Sequence, residues 1–120
     1  MMRTMLKSKI HGATVTECNL HYNGSITIDE MLLKASDILP FEKVHVVNLN
    51  NGARMETYVI EGKKNSGVIG MNGGMARWGY VGDKVLIISY AQIEEEKLKS
   101  YQPKVILVDE KNKLIDKWSR

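Results

Sequence analysis

Seven short runs rich in Val, Ile, Thr and Tyr, each bounded by Gly, Asn or Asp, constrain the fold of this chain more than any other feature. They cover residues 13–16, 25–28, 43–49, 54–60, 67–71, 84–90 and 104–108. β-Branched and aromatic side chains fit a pleated surface and lose rotamer freedom in a helix, so these runs predict strands. The clearest hairpin joins 43–49 to 54–60 through Asn50-Asn51-Gly52-Ala53, where Asn and Gly accept the left-handed φ of a tight turn. Two short helices are expected. One spans 29–39, with Thr27 or Asp29 as its cap, an apolar set of Met31, Leu32, Ala35, Ile38 and Leu39, and Pro40 to end it. The other, 93–100, is mostly charged and stops before Pro103. Many short strands without long helices favour a small closed barrel, since closure removes exposed edges. The polar tail 111–120 is expected to fray or to dock on a partner subunit.

One strand begins at an unusual place. In His21-Tyr22-Asn23-Gly24-Ser25-Ile26-Thr27-Ile28-Asp29 a Gly-Ser bond lies where a turn enters a β-branched run. A serine hydroxyl can attack the preceding carbonyl if the backbone bends, and Gly24, lacking Cβ, can hold the unusual φ that such a bend needs. Attack gives an ester. Loss of the Ser25 α-proton then eliminates it to dehydroalanine, and hydrolysis leaves a pyruvoyl group capping a new N-terminus at position 25. Taken alone, however, Gly-Ser is among the commonest turn dipeptides.

With 120 residues, 43% hydrophobic and 26% charged, the chain has the composition of one globular domain with one core. No segment is long or apolar enough to cross a bilayer, and Met1-Met2-Arg3-Thr4-Met5-Leu6-Lys7 lacks the apolar run of a signal peptide. A cytoplasmic protein is expected. The single cysteine, Cys18, has no internal partner and no neighbouring cation to stabilise a thiolate, so it reads as structural. The net charge of +3 is spread without a basic block, which does not indicate nucleic acid. His11, His21 and His45 match no metal-ligand spacing, so no metal is expected. The methionines read as gap filler in the core.

A pyruvoyl ketone condenses with a primary amine and accepts electrons from a bond broken at the α-carbon, the work otherwise done by pyridoxal phosphate. Such a site needs cations for an acidic substrate, a proton donor, and a group that steadies the oxyanion of self-cleavage. One run supplies all three types: Arg54 can grip a carboxylate bidentately, Thr57 offers a hydroxyl and Tyr58 a phenolic proton. Lys9 adds a second cation, and the backbone amides of Asn72-Gly73-Gly74 could face a carboxylate.

The block Arg3-Thr4-Met5-Leu6, Lys9, His11, Leu20-His21-Tyr22-Asn23-Gly24-Ser25, Asn51-Gly52, Arg54, Thr57-Tyr58, Asn72-Gly73 and Val81-Gly82-Asp83 resembles bacterial aspartate 1-decarboxylases, in order and spacing, from about residue 3 to about residue 110. The resemblance implies a six-stranded double-psi β-barrel and a homotetramer with sites near subunit interfaces. It further implies self-processing into a short 1–24 chain and a longer 25–120 chain, and a covalent pyruvoyl cofactor in place of pyridoxal phosphate or metal. The implied reaction turns L-aspartate into β-alanine and CO2 through a Schiff base, for pantothenate and coenzyme A synthesis. It assigns Ser25 as pyruvoyl source, Thr57 to maturation, Tyr58 as proton donor, and Lys9, Arg54 and the 72–75 turn to substrate, with His11 and Tyr22 as supporting neighbours. An auxiliary maturation factor is a candidate partner.

The residues themselves do not decide which cation holds which carboxylate. Where the family usually reads Asn-Gly-Ala-Ala-Ala, this chain has Asn72-Gly73-Gly74-Met75-Ala76, so Met75 either narrows the pocket or is packing. In a regular strand Arg54 and Tyr58 share a face about 13 Å apart while Thr57 points the other way. The strand is therefore expected to bend or bulge, or a neighbouring subunit to complete the site. The rival readings are a pyruvoyl decarboxylase for another acidic amino acid and a non-enzymatic small-barrel binding module.

Overall fold

The computed structural model describes residues 1–118. The strands are β1 (Met2–Thr14), β2 (Glu17–Asn19), β3 (Ser25–Asp29), β4 (Lys43–Asn48), β5 (Arg54–Gly62), β6 (Ile69–Asn72), β7 (Lys84–Glu94), β8 (Lys104–Val108) and β9 (Leu114–Trp118). One α-helix, α1 (Glu30–Ser36), and two 3-10 turns, Gly73–Trp78 and Glu95–Ser100, complete the described residues. The fold is mainly β with short helices, as the sequence predicts, with nine strands in place of six. They form one ladder in the order β2-β6-β3-β5-β4-β7-β1-β8-β9.

The ladder does not pair β2 with β9, yet it curls on itself. Between β1 and β2, the Thr16 N–H donates to the Ile69 carbonyl at 2.8 Å and the Ile69 N–H donates back to Thr16 Oγ1 at 2.9 Å. These bonds tie one end of the ladder to the linker leaving β1. Inside the curl, Ile10, Ile26, Ile69, Met71, Ile87 and Ile106, from five different strands, are all at most 1% exposed and belong to one contiguous apolar cluster. Burial of that size is what holds so short a chain together.

The largest difference from expectation is β1, which occupies residues 2–14 where only 13–16 were expected. Its Met, Leu, Lys and Ser residues carry little β preference. Position decides instead: β1 lies between β7, antiparallel, and β8, parallel, so tertiary pairing overrides local propensity. Register shifts between Leu6 and Ser8 and between His11 and Ala13 mark bulges on either side of Lys9. The second expected helix is also partly strand, because β7 runs on to Glu94 opposite Met2 before a single 3-10 turn. Residues 114–118 of the expected loose tail form β9 against β8, and 119–120 lie outside the described residues. Asn112, fully buried, fixes this return by donating to the carbonyls of Thr14 and Gly67.

Helix α1 is shorter than expected because its caps are strong. The Asp29 carboxylate accepts the Met31 N–H at 2.8 Å, and Asp37, in the left-handed region at φ 58, ends the helix three residues before Pro40. Asp29 is fully buried and also accepts the N–H groups of Asn65 and Gly67, so one carboxylate anchors the helix and the loop before β6. Thr27 is thereby released from the capping role.

After α1 the chain turns through Leu39-Pro40-Phe41-Glu42, closed by the Glu42 N–H on the Leu39 carbonyl at 3.1 Å. Proline second and a left-handed residue third is the pattern of a type II turn, where Gly or Asn is the usual third residue. Here that residue is Phe41, at φ 71. Left-handed backbone costs a residue with a Cβ roughly 1–2 kcal/mol. The Phe41 ring lies 6.4 Å from the Tyr58 ring with 27° between their planes, a contact worth roughly 0.5–1.5 kcal/mol, which at best offsets the strain.

Candidate active site

The start of β3 is pinned from three directions. Antiparallel pairing sets Ser25 opposite Asn72, and parallel pairing sets Ile26 opposite Val59 of β5. Continued one place back, that register runs Ser25 toward Tyr58. Ser25 is fully buried. Its hydroxyl donates to the Asn23 carbonyl at 2.9 Å and accepts from Asn72 Nδ2 at 3.0 Å. The same amide donates to Thr27 Oγ1 at 2.9 Å, while Asn19 Nδ2 reaches Asn72 Oδ1 at 3.3 Å. Asn72, 1% exposed, thus reads both hydroxyls on the face of β3 opposite the core residues Ile26 and Ile28, and is itself held in orientation.

The chain bends at Gly24, as expected, and a second, left-handed turn lies against it. Gly24 does not take positive φ; Gly73 does, at +70. A Cβ on Gly73 would come 2.7 Å from Gly24 Cα, 2.8 Å from Gly24 N and 3.2 Å from the Tyr22 carbonyl oxygen. Glycine at 73 therefore serves twice, in its φ and in letting the 72–74 turn lie directly on the Gly24 backbone. Gly74 faces open space and makes no such demand. Met75 is 9% exposed and belongs to the apolar cluster, so of its two readings the structure gives packing.

The remaining groups lie outside this pinned turn. Strand β5 is unbulged: it pairs with β4 from Val47↔Arg54 to Lys43↔Tyr58 without a register shift, so the expected bulge is absent there and the bulges fall in β1. Tyr58 is 37% exposed and Thr57 half-buried, on opposite faces, and neither side chain has a hydrogen-bond partner among the described residues. The hydroxyl that shares a donor with Ser25 belongs to Thr27, two places along the same strand and so on the same face. That spacing was the available signal for it.

Arg54 is exposed at the start of β5, beside a shallow hollow of about 120 Å³ shared with His45, Met55 and Glu56. Lys9 is half-buried on β1, and His11 and Tyr22 are exposed. Neither Lys9 nor Arg54 has a carboxylate partner among the described residues. Other cations are engaged: Lys43 and His45 share Glu56, whose carboxyl is held below its ordinary value by the Lys43 and His45 hydrogen bonds, and Lys7 meets Glu42 at 3.3 Å. Four ladder steps separate β1 from β3, on the order of 19 Å along the sheet. One chain thus assembles Ser25, Gly24, Asn72, Gly73 and the Tyr58 strand, and leaves Lys9 on a distant strand.

Cys18 is half-buried on β2; burial pushes its thiol up, and Asp83 adds to the shift, which suits a structural thiol. No group of three His, Cys, Asp or Glu residues able to hold a metal occurs among the described residues. No helix there is long and apolar enough to cross a membrane.

The family model described as aspartate decarboxylase matches residues 1–115. The chain is 63% identical over 115 residues to an aspartate 1-decarboxylase from Carboxydothermus hydrogenoformans, covering 96% of this chain and 91% of that protein. It is 58% identical to one from Thermoanaerobacter pseudethanolicus, covering 97% and 99%, and 60% identical to one from Pelotomaculum thermopropionicum, covering 97% and 88%. With a match of this length and a buried serine held at a Gly-Ser turn, the chain belongs to the aspartate decarboxylase family.

Proposed function

We propose that this protein is a pyruvoyl-dependent decarboxylase that cleaves itself between Gly24 and Ser25 and converts L-aspartate to β-alanine and CO2. The observation that carries the reading is the Ser25 turn. A hydroxyl fully buried at a Gly-Ser bond, fixed by Asn72 and overlaid by Gly73 with no room for a Cβ, fits a group that must be made in place and kept from water. In maturation, Ser25 Oγ exchanges its bond to the Asn23 carbonyl for attack on the Gly24 carbonyl carbon. Asn72 Nδ2 orients that oxygen, and Thr57, which the β3–β5 register runs toward Gly24, supplies a hydroxyl to the oxyanion.

Once formed, the pyruvoyl group supplies the electron sink for the bond broken at the substrate α-carbon. The protein's own groups do the rest. Lys9 and Arg54 hold the carboxylates of an acidic substrate, and their lack of carboxylate partners among the described residues leaves them free to do so. The Tyr58 phenol delivers a proton to the carbon from which CO2 leaves. Because β5 is unbulged and Lys9 lies four ladder steps from β3, the site is completed by a second copy of the chain, in a homotetramer.

The test is the denatured mass of the purified protein before and after prolonged warm incubation, followed by assay on aspartate, with and without host lysate as a source of any maturation factor. Two fragments dividing at Gly24 and Ser25 are expected, the larger lighter by one ammonia than a serine-started chain, together with β-alanine formation. An intact chain that forms no β-alanine even with lysate would overturn the reading.

A further inference from the structure

We propose that Phe41 is a positioning residue for Tyr58, its ring fixing the phenol in the orientation from which the proton is delivered. The inference rests on the assignment of Tyr58 as proton donor and goes beyond it, since Phe41 lies outside every motif of the family resemblance. Its first support is a broken rule. The third residue of the 39–42 turn is left-handed, a place for Gly or Asn, and an aromatic residue there does not stabilise the turn that holds it. Strain of this kind persists only where the surroundings over-determine it, and here they do. The Phe41 N–H donates to the Val59 carbonyl at 2.8 Å, and the Val59 N–H donates to the Glu42 carbonyl at 3.1 Å. Two backbone bonds thus lock the turn to the residue next to Tyr58, while Lys43 pairs with Tyr58 itself.

The second support is what the strain achieves. The Phe41 ring stacks beside that of Tyr58, although Phe41 is 78% exposed, so hydrophobic burial within the chain does not account for its placement. Tyr58 has no hydrogen bond among the described residues to fix its ring, and the stack is the one aromatic contact it makes there. A proton donor with no hydrogen bond to fix it depends on that ring contact for its aim.

The test compares Phe41→Asn, Phe41→Leu and Phe41→Tyr with the wild type and with Tyr58→Phe, measuring kcat and KM for aspartate per cleaved chain, the solvent deuterium isotope effect on kcat, and Tm. Asn accepts left-handed φ, so Phe41→Asn keeps the turn and its Tm is expected at or above that of the wild type. About a tenfold fall in kcat with unchanged KM and a larger isotope effect is expected for the Asn and Leu variants. Phe41→Tyr, which keeps the stack, should retain wild-type values. Wild-type kcat and isotope effect in Phe41→Asn, or in Phe41→Leu should the Asn variant not fold, would overturn the inference. So would a change confined to KM. In either case the wild type would still decarboxylate aspartate and Tyr58→Phe would still be slow. Wild-type protein without that activity would instead sink the parent reading, and the inference with it.

Discussion

The Ser25 turn and the Arg54 end of β5 lie in the same sheet and are built in opposite ways. At the turn the side chains hold one another: Ser25, Asn72, Thr27 and Asn19 form one hydrogen-bonded network centred on buried Asn72, and Gly73 is seated on Gly24 without space for a methyl group. At the β5 end Arg54 is exposed without a carboxylate beside a shallow hollow, and Tyr58 has an aromatic neighbour but no hydrogen bond among the described residues. The first arrangement is complete in a single chain, which fits the proposed action of Ser25 on its own backbone. The second is left open, which fits the proposed role of Arg54 toward an incoming charged ligand.

That contrast predicts different failures in the two regions. Ser25→Ala should abolish activity, leaving a folded, uncut chain, because Asn72 Nδ2 keeps Thr27 as acceptor and only the two hydrogen bonds of the Ser25 hydroxyl, about 1 kcal/mol each, are lost. Mass and circular dichroism read both points, and retained activity would dissolve the distinction between the regions. Gly73→Ala should destabilise by roughly 2–3 kcal/mol, from a left-handed alanine and contact with Gly24, and should slow cleavage severalfold in a time course. Arg54→Ala should leave cleavage and Tm untouched and raise KM for aspartate by about tenfold or more, the usual worth of a charged hydrogen bond. If it blocked cleavage instead, the two regions would not be separable.

The smallest effect concerns Glu56, which keeps Lys43 and His45 occupied so that Arg54 is the free cation of that face among the described residues. Its folded-state carboxyl sits below the ordinary 4.5, so its contribution is present above that value and is lost as pH falls through the lowered one. Glu56→Gln should therefore lower Tm slightly at pH 7, by a difference that shrinks as pH falls through the lowered value. Exposure of the pair keeps the difference small.

Sequence reading reached the two regions unequally for the same physical reason. Residues whose chemistry is carried by type and order, such as Gly24-Ser25, Asn72-Gly73 and Arg54 with Tyr58, were legible, and β3, β8 and the β4–β5 hairpin followed from β-branched runs and the Asn-Gly turn. Strand β1 was not, because its pairing partners lie 70 to 96 residues away and its own composition is neutral. Expecting a bulge in β5 failed, and the positive φ at Gly73 was not foreseen, because both depend on how strands meet. The left-handed residue is on the 72–74 turn opposite, and the bulges flank Lys9. Thr27, read as a cap, turned out to share the Asn72 amide once Asp29 had taken the helix.

On the proposed cleavage of the Gly24–Ser25 bond, strand β1 has a further consequence. The released piece carries β1 and β2, and β1 lies in the interior of the sheet, laddered on both sides, with Ile10 and Ala13 sealed in the core. The mature molecule is then two polypeptides joined only by complementation, a strand threaded through its host. The short piece cannot diffuse away without dismantling the sheet. Once unfolded, the pair must find each other again by collision, so maturation turns a unimolecular folding reaction into one whose rate depends on concentration.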